Sequence, residues 1–250
     1  MLDDELLPSV ASDVTDRANE TVSLADYETA FLIREVETRL LSLFSEGKLN
    51  GTVHTCIGQE WSGVAVARHL VPGDEICSNH RGHGHFLART GDVAGLIAEV
   101  MGRQSGVVSG RGGSQHLKAD GFFSNGIQGG MVPVGAGLAW AKKASGTGNI
   151  VIVFIGDGTL GEGTLYETLN IASRHDLPLL IVLENNLYAQ STSQRQTLAG
   201  DILSRAESFG ISCNRVDTGN WKRYSVRREA QSTMFAPTRG RSFSASTPIV

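Results

Sequence analysis

The stretch that decides the fold is residues 150–183, IVIVFIGDGTLGEGTLYETLNIASRHDLPLLIVL. Its apolar runs at 150–155 and 179–183 are continuous and rich in β-branched residues, which is typical of strands buried on both faces. Between them lie a glycine-rich turn at 156–161 and a segment with helical spacing at 164–175. This order predicts a βαβ unit. We therefore expect an α/β fold, with a central parallel sheet and helices on both faces.

The composition narrows the class of protein. The chain has 250 residues, of which 40% are hydrophobic, so it is long enough to bury the core of one domain with appendages. A net charge of −4 provides no overall basic field, and we predict neither a nucleic-acid nor a membrane partner. The 21 uncharged residues at 121–141 include six glycines, which argues against a membrane span.

The cysteines and the first residues bear on localisation. Cys56, Cys77 and Cys213 are odd in number, far apart and without CxxC spacing, which favours a reducing compartment. The first residues, MLDDE, are acidic where a targeting segment needs basic residues. We therefore expect a cytoplasmic protein.

Three further helices are predicted from hydrophobic spacing. Apolar residues recur between Tyr27 and Phe44, and a second helix is expected at 59–70. A third is expected at 92–101, with the charges of Asp92, Glu99 and Arg103 on its solvated face.

The glycine turn allows two kinds of ligand site. The sequence 156–161, GDGTLG, fits GxGxxG between a strand and a helix, so a dinucleotide site of an NAD-dependent oxidoreductase is one candidate. Asp157 argues against it, because a carboxylate beside a diphosphate is repulsive unless a cation lies between them. The second predicted strand is followed by Glu184, Asn185, Asn186 and Tyr188. Carboxylate and carbonyl oxygens at neighbouring strand ends suit Mg²⁺, and the following helix N-terminus suits an anion.

Together these residues resemble the thiamine diphosphate signature, in which GDG is followed by about 25 residues and NN. The chain is most similar to alpha subunits of the E1 component of 2-oxo acid dehydrogenase complexes and of acetoin dehydrogenases. The resemblance extends over about residues 24–217 through four more motifs in the family's order: His54 with GQE at 58–60, SNHRGHG at 78–84, GRGGSQH at 110–116 and NGIQGG at 125–130.

The resemblance implies roles for individual residues. The metal ligands for Mg²⁺ would be Asp157, Asn186 and the main-chain carbonyl of Tyr188. The residues expected to bind thiamine diphosphate are His54, His80, Arg81, Gly126, Gln128, Gly156, Gly158, Thr159 and Asn186. His80 stands where relatives often have Tyr, and Gln128 replaces a more common apolar residue. His83 and His116 are the candidate catalytic residues.

The histidines also allow a different interpretation. His80, His83 and His85 could form a zinc tract, although no Cys or carboxylate lies at ligand spacing. We do not favour this alternative.

The resemblance further implies partners. In relatives the glutamate that activates the pyrimidine comes from a beta subunit, so we expect an E1 beta-like partner in an α2β2 assembly. A lipoyl-bearing acyltransferase would accept the acyl group from a 2-oxo acid or acetoin-like substrate. A non-catalytic subunit with the same fold is a third possibility.

The domain boundaries follow from the composition. Residues 1–22 are predicted to be a flexible acidic arm, residues 23–217 the thiamine diphosphate-binding domain, and residues 218–250 an atypical basic tail of low order. From residue 214 onward there are seven Lys/Arg against two Asp/Glu, and similarity to the family fades after residue 217.

Overall fold

Nine strands occur in the parts of the chain described by this computed structural model, residues 22–217 and 242–247. They are β1 (Glu75–Ser78), β2 (Lys118–Ala119), β3 (Phe122–Ser124), β4 (Val151–Gly156), β5 (Leu179–Glu184), β6 (Tyr188–Ala189), β7 (Thr192–Ser193), β8 (Ser212–Asp217) and β9 (Ser242–Thr247).

Seven of these strands form a central sheet in the order β2-β3-β1-β4-β5-β9-β8. All neighbours are parallel except β2 and β3, which pair antiparallel. The strands β6 and β7 form a separate antiparallel hairpin. Because β4 and β5 are central and parallel, the turns after both strands lie at the same edge of the sheet.

The helices in the described ranges are α1 (Leu24–Ser45), α2 (Glu60–Ala67), α3 (His83–Thr90), α4 (Val93–Val100), α5 (Met131–Ser145), α6 (Gly163–Arg174), α7 (Gln194–Thr197) and α8 (Ile202–Glu207). A short 3-10 helix, Asp157–Gly161, joins β4 to α6. None of the helices in these ranges is long and apolar enough to cross a membrane.

The alternating side chains of β4 enter two cores on opposite faces of the sheet. Ile152 and Phe154 pack into the core that contains residues of α1 to α4. Val151, Val153 and Ile155 pack into the core that contains residues of α5, α6 and α8. The predicted α/β fold, with helices on both faces of a mainly parallel sheet, is confirmed.

One expectation about α4 is wrong. Glu99 does not lie on a solvated face: it is 0% exposed, and its carboxylate accepts hydrogen bonds from the backbone N–H groups of Val108, Gly110 and Gly112. The reason is that the following loop folds back over the helix and brings unpaired N–H groups to the carboxylate. Asp92 instead caps α4, accepting from the N–H of Gly95 at 2.8 Å.

The predicted tail contributes to the sheet. Strand β9 (Ser242–Thr247) lies between β5 and β8, and the low order expected of the tail stays a prediction. Its pattern was missed because alternating Ser, Phe and Ala give no long apolar run. The rest of the tail, and the predicted acidic arm except residue 22, lie outside the described residues.

Candidate functional site

The carboxyl ends of β4 and β5 bring the predicted metal ligands together. Gly156 pairs with Glu184 in the register of these two strands, so Asp157 follows one strand where Asn185 and Asn186 follow the other. The backbone N–H of Asn186 donates to the Asp157 carboxylate. Gln194 joins the two turns as well, because its Nε2 donates to Asp157 Oδ2 at 3.1 Å and to Asn185 Oδ1 at 2.8 Å.

Asp157 is a buried carboxylate that lacks a cationic partner among the described residues. The residue is 3% exposed, and burial raises its pKa even though Gln194 and the N–H groups of Gly158 and Asn186 donate to it. A buried carboxylate without a counter-charge is costly, whereas a divalent ion in contact with it would offset that cost. The chemistry of this position therefore fits a hard cation.

The loop after β5 has an unusual backbone. Leu187 and Gln190 have φ of 66° and 56°, a conformation that costs energy for non-glycine residues. Asn186 Oδ1 accepts from the N–H of Tyr188 at 3.0 Å, which closes a tight turn. This turn holds Asn186 and the main chain of Tyr188 beside Asp157, the arrangement required if both are to supply oxygen ligands.

A cavity of about 590 Å³ opens at this edge of the sheet. Its volume is within the usual range for small-molecule sites. The lining includes His54, His80, Arg81, Gly126, Gln128, Gly156, Asp157, Gly158, Asn186 and Tyr188. The structure therefore brings ten of the sequence-predicted site residues to one cavity.

Two features of the cavity suit a diphosphate. The Nε of Arg81 is buried and has no hydrogen-bond partner in the described part of the chain, which leaves a guanidinium donor for an incoming anion. The backbone at Gly158 is closely covered, since a Cβ atom there would lie 3.1 Å from Cβ of Ala189. The glycine thus keeps space for backbone N–H groups to approach a ligand.

His54 and His80 form a neutral pair at the cavity wall. Their ring centroids are 5.1 Å apart. Burial, followed by the positive charge of Arg81, lowers the pKa of both rings, and the pKa of His80 falls to about 4. Near neutral pH both rings can donate a hydrogen bond without adding charge to the site.

Gln128 and Thr159 lie beside His80. Gln128 Nε2 is 2.6 Å from Nδ1 of His80, and Thr159 Oγ1 donates to Gln128 Oε1 at 3.2 Å. Thr159 is fully buried and does not line the cavity itself. It therefore contacts the site through the side chain of Gln128.

The two candidate catalytic histidines are not brought to the cavity. His83 is 0% exposed, with Nδ1 3.2 Å from Oε2 of Glu37 and Nε2 2.9 Å from the carbonyl oxygen of Ser114. Both ring nitrogens of His83 therefore face oxygen atoms of buried or partly buried groups. His116 is exposed and does not line the cavity. Their catalytic roles stay predictions, and the geometry gives neither of them contact with the cavity.

Some residues of the site were not among the predicted cofactor-binding, metal-binding or catalytic residues. Glu184 lines the cavity but is buried, and its carboxylate accepts from Ser62 Oγ, His85 Nε2 and Asn79. Gln115 also lines the cavity, and Gln194 contacts Asp157. Asn79 and Gln115 lie within the quoted motifs, which was an available signal; nothing in the sequence singled out Gln194.

The zinc alternative gains no support. The described residues contain no group of three or more His, Cys, Asp or Glu arranged to hold a metal ion. His83 instead contacts Glu37, and His85 contacts Glu184, in two separate buried pairs.

Comparison with known protein families agrees with this geometry. The family model described as "Dehydrogenase E1 component" matches residues 28–225. The chain belongs to the dehydrogenase E1 component family. The resemblance inferred from the sequence motifs is thereby confirmed.

Curated relatives of this E1 family member are alpha subunits. The alpha subunit of acetoin:2,6-dichlorophenolindophenol oxidoreductase from Cupriavidus necator is 41% identical over 78% of this chain and 60% of its own length. The alpha subunit of the pyruvate dehydrogenase E1 component is 38% identical in Rickettsia prowazekii, over 78% of this chain and 61% of the relative. The corresponding protein of Zymomonas mobilis is 40% identical, over 76% of this chain and 55% of the relative.

The match therefore covers most of this chain but only about three-fifths of the C. necator and R. prowazekii relatives.

Proposed function

We propose that this E1 family member binds thiamine diphosphate and Mg²⁺ in the cavity at the carboxyl edge of the sheet. The observation that carries the proposal is the buried carboxylate of Asp157 beside the Asn186 turn, in a cavity that is also lined by Arg81, whose buried Nε has no partner among the described residues. An acidic group and a basic group that line one cavity suit a cation together with a diphosphate.

The residues of this chain would divide the work of binding. Asp157, Asn186 and the Tyr188 carbonyl would hold the metal ion. Arg81, His54 and His80 would donate hydrogen bonds to phosphate oxygens, and the close backbone at Gly126 and Gly158 would admit the cofactor. When bound, thiamine diphosphate supplies an electron sink for cleavage next to a carbonyl carbon.

We further propose the reaction class and the partners. The protein would act as an alpha-subunit-like component of an E1 dehydrogenase on a 2-oxo acid or an acetoin-like substrate. This proposal is supported by the names of the relatives, which are alpha subunits of pyruvate and acetoin enzymes. A beta subunit would complete the site, and a lipoyl-bearing acyltransferase would accept the acyl group in the case of a 2-oxo acid.

The cofactor assignment can be tested by calorimetric titration of thiamine diphosphate, with and without Mg²⁺. Wild-type protein should bind only when Mg²⁺ is present, and Asp157→Ala should weaken binding by about 100-fold or more, since even outer-shell losses at metal sites cost about 10–100-fold. Glu162→Ala is the matched control, because Glu162 lines the same cavity but does not follow a strand end.

Three outcomes would contradict parts of the proposal. Binding that ignores both Mg²⁺ and Asp157→Ala would overturn the metal-bridged site. Binding of a nicotinamide dinucleotide without Mg²⁺ would favour the NAD-dependent alternative. Tight cofactor and beta-subunit binding without turnover of any 2-oxo acid or acetoin would favour a non-catalytic subunit.

A further inference from the structure

The residues beside His80 form a chain of three polar side chains. Thr159 Oγ1 donates to Gln128 Oε1 at 3.2 Å, and Gln128 Nε2 lies 2.6 Å from His80 Nδ1. The chain begins in the interior, where Thr159 is 0% exposed, and ends at His80 in the cavity wall. When Thr159 Oγ1 donates to Gln128 Oε1, the NH₂ group of the amide faces His80.

The orientation of the Gln128 amide determines the tautomer of His80. With Oε1 turned toward the Thr159 hydroxyl, the amide presents its NH₂ group to His80, and only an unprotonated Nδ1 can accept from it. The proton of a neutral imidazole must then be on Nε2. Within the described residues, Nε2 of His80 has no hydrogen-bond partner, so its N–H is available to a ligand.

The environment agrees with a neutral ring. Arg81 and His54 lie beside His80, and burial, followed by the positive charge of Arg81, lowers the pKa of His80 to about 4. Glu184 and His85 also act on His80 electrostatically, with opposite and smaller effects.

We propose that Gln128, supported by Thr159, is a positioning residue that fixes His80 as its neutral Nε2–H tautomer and aims one N–H donor at the diphosphate. This proposal rests on the proposed function for the identity of the anion. It adds that the side chain of Gln128, and not only its main chain, contributes to the cofactor site.

The residue at position 128 determines how freely the proton of His80 can exchange between the two ring nitrogens. A histidine next to an apolar residue at position 128 would be free to exchange its proton between both ring nitrogens. The glutamine removes that freedom, so the donor is already oriented before the ligand arrives, which reduces the entropic cost of binding.

The experiment is long-range ¹H–¹⁵N correlation NMR on the full chain labelled at histidine, without cofactor. The spectra distinguish protonated from unprotonated ring nitrogens, and the His80 signals are assigned by their loss in His80→Asn. We expect the Nε2–H tautomer of His80 in the wild type. In Gln128→Met the two tautomers should both be populated, and in Gln128→Glu the proton should move to Nδ1.

Two further variants keep the result interpretable. Gln115→Met is the matched control: Gln115 also lines the cavity, but it makes no hydrogen bond with His80. In Gln115→Met, His80 should keep the tautomer that it has in the wild type. Thr159→Val removes the donor to Gln128 while preserving the shape of the buried side chain, and it should mix the tautomers as Gln128→Met does, whereas Thr159→Ser should retain the wild-type state.

Cofactor affinity is measured by calorimetric titration, independently of the NMR measurement of the tautomer. Gln128→Met should weaken Mg²⁺-dependent thiamine diphosphate binding by about three- to tenfold, the usual effect of one lost hydrogen bond. An Nδ1–H tautomer in the wild type, or an unchanged Nε2–H tautomer in Gln128→Met, overturns the positioning role. A wild-type protein that shows the expected tautomer but binds no thiamine diphosphate refutes the proposed function instead.

Discussion

Two histidines only three residues apart occupy opposite environments in this protein. His80 lies at the cavity wall beside Arg81, accepts a hydrogen bond from Gln128 and has its pKa lowered to about 4. His83 is fully buried, and both of its ring nitrogens face acceptors, the carboxylate of Glu37 and the carbonyl of Ser114. The surroundings of His80 keep its ring neutral, whereas the hydrogen bonds of His83 join it to buried groups of two other segments.

The two environments indicate different roles, ligand binding for His80 and stability of the fold for His83. His83 begins α3 and connects it to α1 through Glu37 and to the glycine-rich loop through Ser114. His80 precedes that helix and contacts the cavity instead. We therefore expect substitutions at position 83 to change stability, and those at position 80 to change ligand affinity.

The largest expected effect is that of His83→Ala. It would leave the Glu37 carboxylate buried with only the N–H and the thiol of Cys56 as hydrogen-bond donors among the described residues, and loss of one partner from a buried pair costs about 3–5 kcal/mol. Urea unfolding should show this decrease in the free energy of unfolding. In the double variant Glu37→Gln/His83→Ala the loss should be smaller than the sum of the two single losses, because no unpaired charge remains. Additive losses would refute the pairing.

A smaller decrease in the free energy of unfolding is expected when the pH is lowered. Burial raises the pKa of Glu37, but the hydrogen bond and the charge of His83 outweigh it, so the pKa is lowered below its usual value of 4.5. The stabilisation is therefore complete above pH 4.5 and is lost as the pH falls through the lowered pKa. Unfolding free energies measured from pH 6 downward should decrease less steeply in Glu37→Gln than in the wild type. Equal slopes would show that other groups cause the acid sensitivity.

The smallest effect on stability is expected at the cavity wall and on the surface. His80→Asn and His116→Ala should each change the free energy of unfolding by less than about 1 kcal/mol, because neither ring is a buried partner of a charge. Only His80→Asn should weaken thiamine diphosphate binding in the calorimetric titration. A cofactor effect of His116→Ala as large as that of His80→Asn would restore His116 as a candidate for the site.

The sequence predicted those features that depend on local patterns. The runs at 150–155 and 179–183 predicted adjacent parallel strands, and this adjacency alone placed Asp157 beside Asn186. The two strands did not determine the path of the loops. Glu99 has the spacing of a surface residue, and only the return of the loop at 106–113 over α4 buries it.

The histidine-rich motif shows a similar limit. Of residues 78–84, Asn79, His80 and Arg81 line the cavity, and the motif does not say which of its histidines faces it. That depends on where α3 begins: His80 precedes the helix, and His83 is its first residue. A boundary of this kind is decided by tertiary contacts such as Glu37 with His83, which lie 46 residues apart in sequence.

The carboxylate of Glu99 also restricts how the sequence of its loop can change. Surface loops usually tolerate insertions and deletions. Here three N–H groups, at residues 108, 110 and 112, converge on one side chain, and each added or removed residue would turn a donor away from it. The side chains of this loop can therefore change, whereas its length is constrained by the hydrogen bonds to the Glu99 carboxylate.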